Sequence, residues 1–229
     1  VPLFGKKTRV ITSVFDSFSC ISLKIVVVFF MLNIAVLGSG RGSNFQAILS
    51  AVHAGQLPNV RIRLVVSNNS SAGILEIARG DGIPALHLSQ RQFTDESAFA
   101  GAMLAAFRRA GVNFLVLAGY MKRVPAAVVQ AFPRRIINIH PALLPRFGGE
   151  GMYGIHVHEA VIASHAATSG ATVHFVDEEY DHGATVLQKE IPVLPDDTPA
   201  TLASRVLEVE HEILPEALRR LASAPGDHT

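Results

Sequence analysis

The chain has 229 residues, 49% of them hydrophobic and 17% charged, with a net charge of +1. That is enough apolar material for one substantial core, and the charge is too balanced to offer the electrostatic footprint that nucleic acid or an anionic membrane requires. The ten histidines are scattered rather than set at metal-ligand spacings, so no metal is expected, and the single cysteine, Cys20, cannot close an intrachain disulfide, which fits a reducing, cytoplasmic setting.

Residues 1–30 differ in character from the rest of the chain. Ile25 to Leu32 is an apolar run with Lys6, Lys7 and Arg9 upstream. No small-residue cleavage site comes after it, and Lys24 and Asn33 hold it below the roughly 18 apolar residues that a membrane span needs. With Met31 directly before the first strand, the expectation is an upstream extension or a misread translation start over 1–30. One domain then covers 31–222, with a tail over 223–229.

Asn33 to Leu37 reads as the first strand. Gly38-Ser39-Gly40-Arg41-Gly42-Ser43-Asn44 is a glycine-rich turn opening a helix from about Asn44 to Ala54, and Ser43 with Gln46 has capping-box spacing. A strand, a glycine turn and a helix N-terminus make an anion site, because unpaired backbone N–H groups and the positive dipole end point at one spot. The spacing is G-x-G-x-G-S-N rather than G-x-G-x-x-G. The next strand, Arg61 to Val66, ends in Ser67-Asn68-Asn69, where a dinucleotide-binding protein places an acid for the ribose. The pattern therefore points to a phosphate on a smaller substrate.

Further strand and helix units come in regular order. A helix from about Ser71 to Arg79 precedes a strand at Pro84 to Leu88. Thr94 is positioned to cap a helix from Asp95 to Ala110, whose stripe of Phe99, Met103, Leu104 and Phe107 marks core packing. Phe114 to Ala118 is wholly apolar, as a parallel strand buried on both faces should be. Pro125 begins a short helix. Ile136 to Ile139 is a β-branched run that Pro141 stops at His140. Alternation along that strand puts Asn138 and His140 on one face, at the carboxyl end where open α/β sheets bind ligands. Taken alone, Asn-x-His also reads as a strand end with two satisfied polar side chains.

After Pro145, the segment Arg146 to Gly154 is glycine-rich and reads as a mobile rim loop. Val157 to Ser164 is helical, and Ala171 to Val176 and Thr185 to Ile191 are strands. Between those strands, Asp177 to Gly183 holds four acids and by composition is a solvated loop. Thr198-Pro199 starts a long closing helix that Pro215 is placed to kink. The order predicts an α/β fold, an open, mostly parallel, doubly wound sheet.

Several segments together resemble the folate-dependent formyltransferases: GSGRGSN at Gly38 to Asn44, LAGYM at Leu117 to Met121, NIHPALLP at Asn138 to Pro145, GATVHFVDEEYDHG at Gly170 to Gly183, and Glu210-His211. The resemblance runs from Met31 to about Leu221 and implies a single-domain, Rossmann-like formyltransferase fold. It implies formyl transfer from 10-formyltetrahydrofolate to the amine of glycinamide ribonucleotide in purine synthesis, by a monomer or homodimer. Asn138, His140 and Asp181 would be catalytic. Gly42, Ser43 and Asn44 would hold the phosphate, and Glu210 would meet the sugar or amine end. Met121, Lys122, Arg123 and Val124, with Asn138, would line the folate pocket.

That assignment makes chemical sense. The Asn138 amide is an uncharged donor for the oxygen that gains charge in the tetrahedral species. His140, charged, can donate to that oxygen or to the departing folate nitrogen, and an ionised Asp181 would raise its pKa toward working pH. No metal or covalent intermediate is needed. The chain departs from the family in its longer glycine-rich insertion, and in Glu96 where relatives often carry a base near the folate, Arg91 being the nearest cation. Arg41 reads as a phosphate ligand or as a surface residue. A transfer-RNA formyltransferase would need a further basic domain. A formyltetrahydrofolate deformylase, formyl transfer to another amine and a non-catalytic binding module are the alternatives.

Overall fold

The computed structural model describes residues 31–223, so the expected extension over 1–30 and the tail beyond Ser223 lie outside the described residues. Seven strands form one open sheet: β1 (Leu32–Leu37), β2 (Val60–Ser67), β3 (Ala85–His87), β4 (Phe114–Leu117), β5 (Ile136–His140), β6 (Thr168–Phe175) and β7 (Thr185–Pro192), in the spatial order β3-β2-β1-β4-β5-β6-β7. Pairings from β3 through β5 are parallel, and β6 and β7 are added antiparallel. The sheet is therefore mostly parallel, as the alternation of strands and helices predicts.

Alternation along β1 divides the core. Leu32, Ile34 and Val36 pack with α1 (Ser43–His53), α2 (Gly73–Gly80) and α6 (Pro199–Ser223); Ala35 and Leu37 pack with α3 (Glu96–Arg109) and α4 (Ala126–Ala131). The remaining helix, α5 (Ile155–Ala163), joins the first cluster through Val161. Leu202, Val206, Val209, Ile213, Ala217 and Leu221 recur at three- and four-residue spacing, so one stripe of α6 is buried. The helix continues through Pro215 and ends at Ser223, one residue past the expected domain end.

Two caps differ from expectation. Ser43 is the first residue of α1 and its side chain makes no cap, so the spacing to Gln46 forms no capping box; the N-cap is Gly42, at φ 87°. A left-handed backbone there is what glycine supplies without a Cβ penalty. The tight approach of α2 leaves no room either, since a Cβ on Gly42 would stand 2.8 Å from Ile74 Cα. For α3 the cap is Asp95, whose carboxylate accepts from the Ala98 N–H at 2.8 Å, while Thr94 only donates to Asp95. Asp95 wins because its oxygen reaches a free N–H of the first turn.

Strand order reverses between β1 and β4, and the turns after both meet at that switch point. Ser39 ties them: its N–H donates to the Gly119 carbonyl (3.0 Å), its hydroxyl donates to Asn68 Oδ1 (2.5 Å) and accepts from the Met121 N–H (2.8 Å). Asn68, where a dinucleotide site would carry its acid, is thus spent on holding the turns together.

Substituting Gly42 with Ala should lower unfolding free energy by roughly 2–4 kcal/mol, combining left-handed strain with overpacking against Ile74. Gly40→Ala, with nothing within 4 Å of the added carbon, should be near neutral. Urea titrations of both variants test this, and equal midpoints would refute it. Buried His158 is pushed down to about 4, first by burial and then by the charge of His140. The unfolded chain binds that proton near pH 6.5 and the native state does not, so stability should be full above pH 6.5 and fall between 6.5 and about 4, by roughly 2–3 kcal/mol. His158→Leu should flatten that fall, read as urea midpoints at pH 7 and pH 4.5.

Candidate active site

One cleft of about 930 Å³ opens along the carboxyl ends of β1, β4 and β5. Asn138, His140, His158, His174 and Asp181 stand along it, as do Met121 to Val124, and Arg41, Asn44 and Glu210. The cleft thus joins residues from most of the chain's length.

β5 delivers the central pair. His140 is buried and Asn138 half-buried at the end of that strand. Opposite them runs β6 in antiparallel register, Asn138 facing His174 and His140 facing Thr172. The Thr172 hydroxyl donates to the Ala142 carbonyl (2.6 Å) and accepts from the Leu144 N–H (3.1 Å), which fixes the chain as it leaves His140. Sequence reasoning assigned no role to His174 or Thr172. Thr172 and His174 on either side of Val173 were the available signal, and only the register across two strands gives it meaning.

Asp181 reaches the pair from the loop between β6 and β7. Its backbone is left-handed at φ 57°, a conformation more tolerable for Asp than for most residues. The side chain turns inward: Oδ2 lies 3.6 Å from His140 Nδ1 and accepts from the Gly149 N–H at 3.0 Å, and Oδ1 lies 3.5 Å from His174 Nε2. The four-acid loop is therefore not wholly solvated. Glu178 accepts from Gln130, its carbonyl accepts from Arg123, and that guanidinium also covers the Tyr180 ring at 5.7 Å. Arg123 lines the cleft while holding this loop.

The electrostatics run against one expectation. Burial holds His140 below the ordinary histidine value; the Asp181 carboxylate and the Phe147 carbonyl pull it upward without overcoming that, and His174 adds to the depression. With 4% of the side chain exposed, desolvation of the cation outweighs a carboxylate that is near but not in bonding contact. The resting ring is neutral at neutral pH rather than raised toward it. Asp181 is raised by burial but brought below its usual value by His174, the charge of His140 and the Gly149 N–H, so it is ionised. The Phe147 carbonyl accepts from His140 Nε2 at 2.8 Å, tying the glycine-rich rim loop to the ring.

By the N-terminus of α1, Asn44 Nδ2 donates to Glu210 Oε2 at 2.5 Å, and Asn44 Oδ1 is buried without a partner. Burial raises Glu210 to about 7, against the lowering influence of Asn44. Gly42 and Ser43 do not line the cleft themselves; Arg41 and Asn44 on either side of them do. What they contribute is backbone, Gly42 as the N-cap of α1 and Ser43 as its first residue. Met121, Lys122 and Val124 line the cleft beside Arg123, and Lys122 and Arg123 also border a smaller pocket of about 190 Å³ that includes Arg91 and Glu96. Among the described residues no three His, Cys, Asp or Glu side chains are grouped to hold a metal ion, and no helix is long and apolar enough to cross a membrane.

Residues 32–218 match the formyl transferase family model. Over 186 residues the chain is 46% identical to the chloroplastic phosphoribosylglycinamide formyltransferase of Arabidopsis thaliana, covering 81% of this chain and 63% of the relative. Over 189 residues it is 36% identical to the phosphoribosylglycinamide formyltransferase of Haemophilus influenzae, covering 82% of this chain and 86% of the relative. The chain thus spans about three fifths of the length of the plant relatives it matches, 63% and 60%. The crystal structure of glycinamide ribonucleotide transformylase 1 from Symbiobacterium toebii superposes with a TM-score of 0.78 at 40% identity, over 84% of this chain and 88% of that one. The chain belongs to the formyl transferase family.

Proposed function

We propose that this protein transfers a formyl group from 10-formyltetrahydrofolate to the amine of glycinamide ribonucleotide, giving formylglycinamide ribonucleotide for purine synthesis. One observation carries the reading: a single cleft holds the Asn138, His140 and Asp181 group together with Met121 to Val124 and with Arg41, Asn44 and Glu210 by the α1 N-terminus. A volume of about 930 Å³ suits two substrates meeting end to end. The names and coverage of the bacterial relatives point the same way.

In this reading the phosphate rests on the first-turn N–H groups contributed by Gly42, Ser43 and Asn44, with Arg41 beside them. Glu210, raised to about 7 by burial, can accept from a sugar hydroxyl as the carboxylate or donate to it as the acid. Met121, Lys122, Arg123 and Val124 border the folate. Attack by the amine nitrogen on the formyl carbon forms a C–N bond and moves charge onto the formyl oxygen, where an Asn138 N–H donates. The amine must lose a proton and the folate nitrogen must gain one as its bond to carbon breaks. The His140–Asp181 pair carries that proton. A neutral His140 is ready to accept it, and the imidazolium that forms lies between the Asp181 carboxylate and the Phe147 carbonyl, both of which favour the charged ring.

His140→Ala and Asp181→Asn should each lower kcat by about 10²–10⁴-fold with the ribonucleotide Kd changed by less than about threefold, measured by steady-state kinetics and calorimetry. Near-normal turnover in either would remove that residue from the mechanism. The function itself is tested by following folate release from 10-formyltetrahydrofolate with and without glycinamide ribonucleotide. The expected outcome is release only with the ribonucleotide and formyl on its amine. Release without it would establish a deformylase instead, and no release in either case would overturn formyl transfer to this acceptor.

A further inference from the structure

His174 belongs to no part of the proton path above, yet it is 2% exposed and touches both Asn138 and Asp181. We infer that His174 is a positioning residue: anchored to the strand backbone, it holds the Asn138 amide nitrogen and so fixes which atom Asn138 presents to the formyl oxygen. The inference rests on the formyl-transfer reading and names a residue for it beyond Asn138, His140 and Asp181.

The hydrogen bonds decide the ring's proton. His174 Nδ1 lies 2.8 Å from the Phe175 carbonyl oxygen, which can only accept, so Nδ1 carries hydrogen. In the neutral ring Nε2 is then a lone pair. Its nearest polar neighbour is Asn138 Nδ2 at 3.1 Å, a bond in which the amide donates. That contact sets the orientation of Asn138: one N–H is given to His174, and the second remains for the substrate. Without His174 the amide can rotate and offer its carbonyl oxygen, which would repel a developing oxyanion.

Asp181 competes for the same nitrogen. Its Oδ1 stands 3.5 Å from Nε2, a contact that becomes a bond only when Nε2 is protonated. A charged His174 would thus be a partner of Asp181 and would turn an N–H toward the Asn138 amide nitrogen. Removing the ring therefore has different consequences under the two arrangements. The pairing of β5 with β6 puts Asn138 and His174 directly opposite each other, so the shorter contact is built into the sheet.

The test uses His174→Gln and His174→Leu in the full chain. Gln offers an amide oxygen that can accept from Asn138 but carries no charge; Leu offers no acceptor. The expectation is that H174Q keeps at least about a tenth of the wild-type kcat. H174L should lose about 10²–10³-fold in kcat, the cost of one oxyanion donor, with both KM values changed by less than about threefold. On an Asn138→Ala background H174L should cost less than about threefold more, and on an Asp181→Asn background its full effect. An H174Q as poor as H174L, or a loss that vanishes on the Asp181→Asn background, would overturn the inference in favour of a charged partner of Asp181. If H174L does not fold, the H174Q rate and its two double variants decide in the same way. A readout that needs no turnover is nitrogen NMR of the resting protein: Nδ1–H with a bare Nε2 is expected, and a doubly protonated ring would refute it. An inactive wild type with the expected ring signals would sink the formyl-transfer reading while leaving the hydrogen bond to Asn138 intact.

Discussion

The antiparallel pairing of β5 with β6 is the constraint on which the site depends. A parallel sheet alone would have ended β5 at His140 and left the pair at its rim with no polar neighbour across the strand. Adding β6 in the opposite sense places His174 against Asn138 and Thr172 against His140. Register in a sheet is all or nothing, because a slip by one residue turns every side chain to the other face. Val173, fully buried on the core side of β6, enforces it: the same alternation that buries Val173 brings Thr172 and His174 to the cleft face. Apolar packing thereby sets the position of polar groups that packing itself does not touch.

A second balance is struck at His140, between desolvation and charge. Near the surface, a carboxylate at 3.6 Å would favour an imidazolium; with the ring nearly sealed, the cost of taking the cation out of water is larger. The outcome is a neutral ring surrounded by groups that would welcome a proton. Both ring nitrogens face oxygens, Phe147 O on one side and Asp181 Oδ2 on the other. Such a site resists charging at rest and stabilises charge once chemistry delivers it, which is the property asked of a group that receives a proton and passes it on.

Much of this was legible in the sequence, for local reasons. The β-branched run before Pro141, the wholly apolar Phe114 to Leu117 and the glycine turn after β1 state their own conformation, and the alternating order of elements gives the open α/β sheet. What was not legible is tertiary. The Ser43 and Gln46 spacing matches a capping box, but the chain turns through a left-handed Gly42 because α2 packs against it, a contact with Ile74 that no local pattern encodes. His174 is one polar side chain in a strand of mixed composition until its partner across the sheet is known. The sign of the shift at His140 is set by burial, and burial belongs to the folded whole.

The loops around the cleft are held by hydrogen bonds that run mostly between a side chain and a neighbouring backbone. Ser39 joins the turns after β1, β2 and β4, so the glycine turn that begins α1 and the segment entering Met121 to Val124 share one hydrogen-bonded knot. On the opposite side, Gly149 reaches Asp181 and Phe147 reaches His140, so the rim loop is attached to the His140–Asp181 pair at two points. Between these anchors Asn138 and His140 sit on a strand that is buried almost throughout. A buried centre whose rim loop is attached to His140 and Asp181 suits a reaction whose two substrates must meet nitrogen to carbon within about 3.5 Å, because the loop and the groups that act on the substrates are held as one unit.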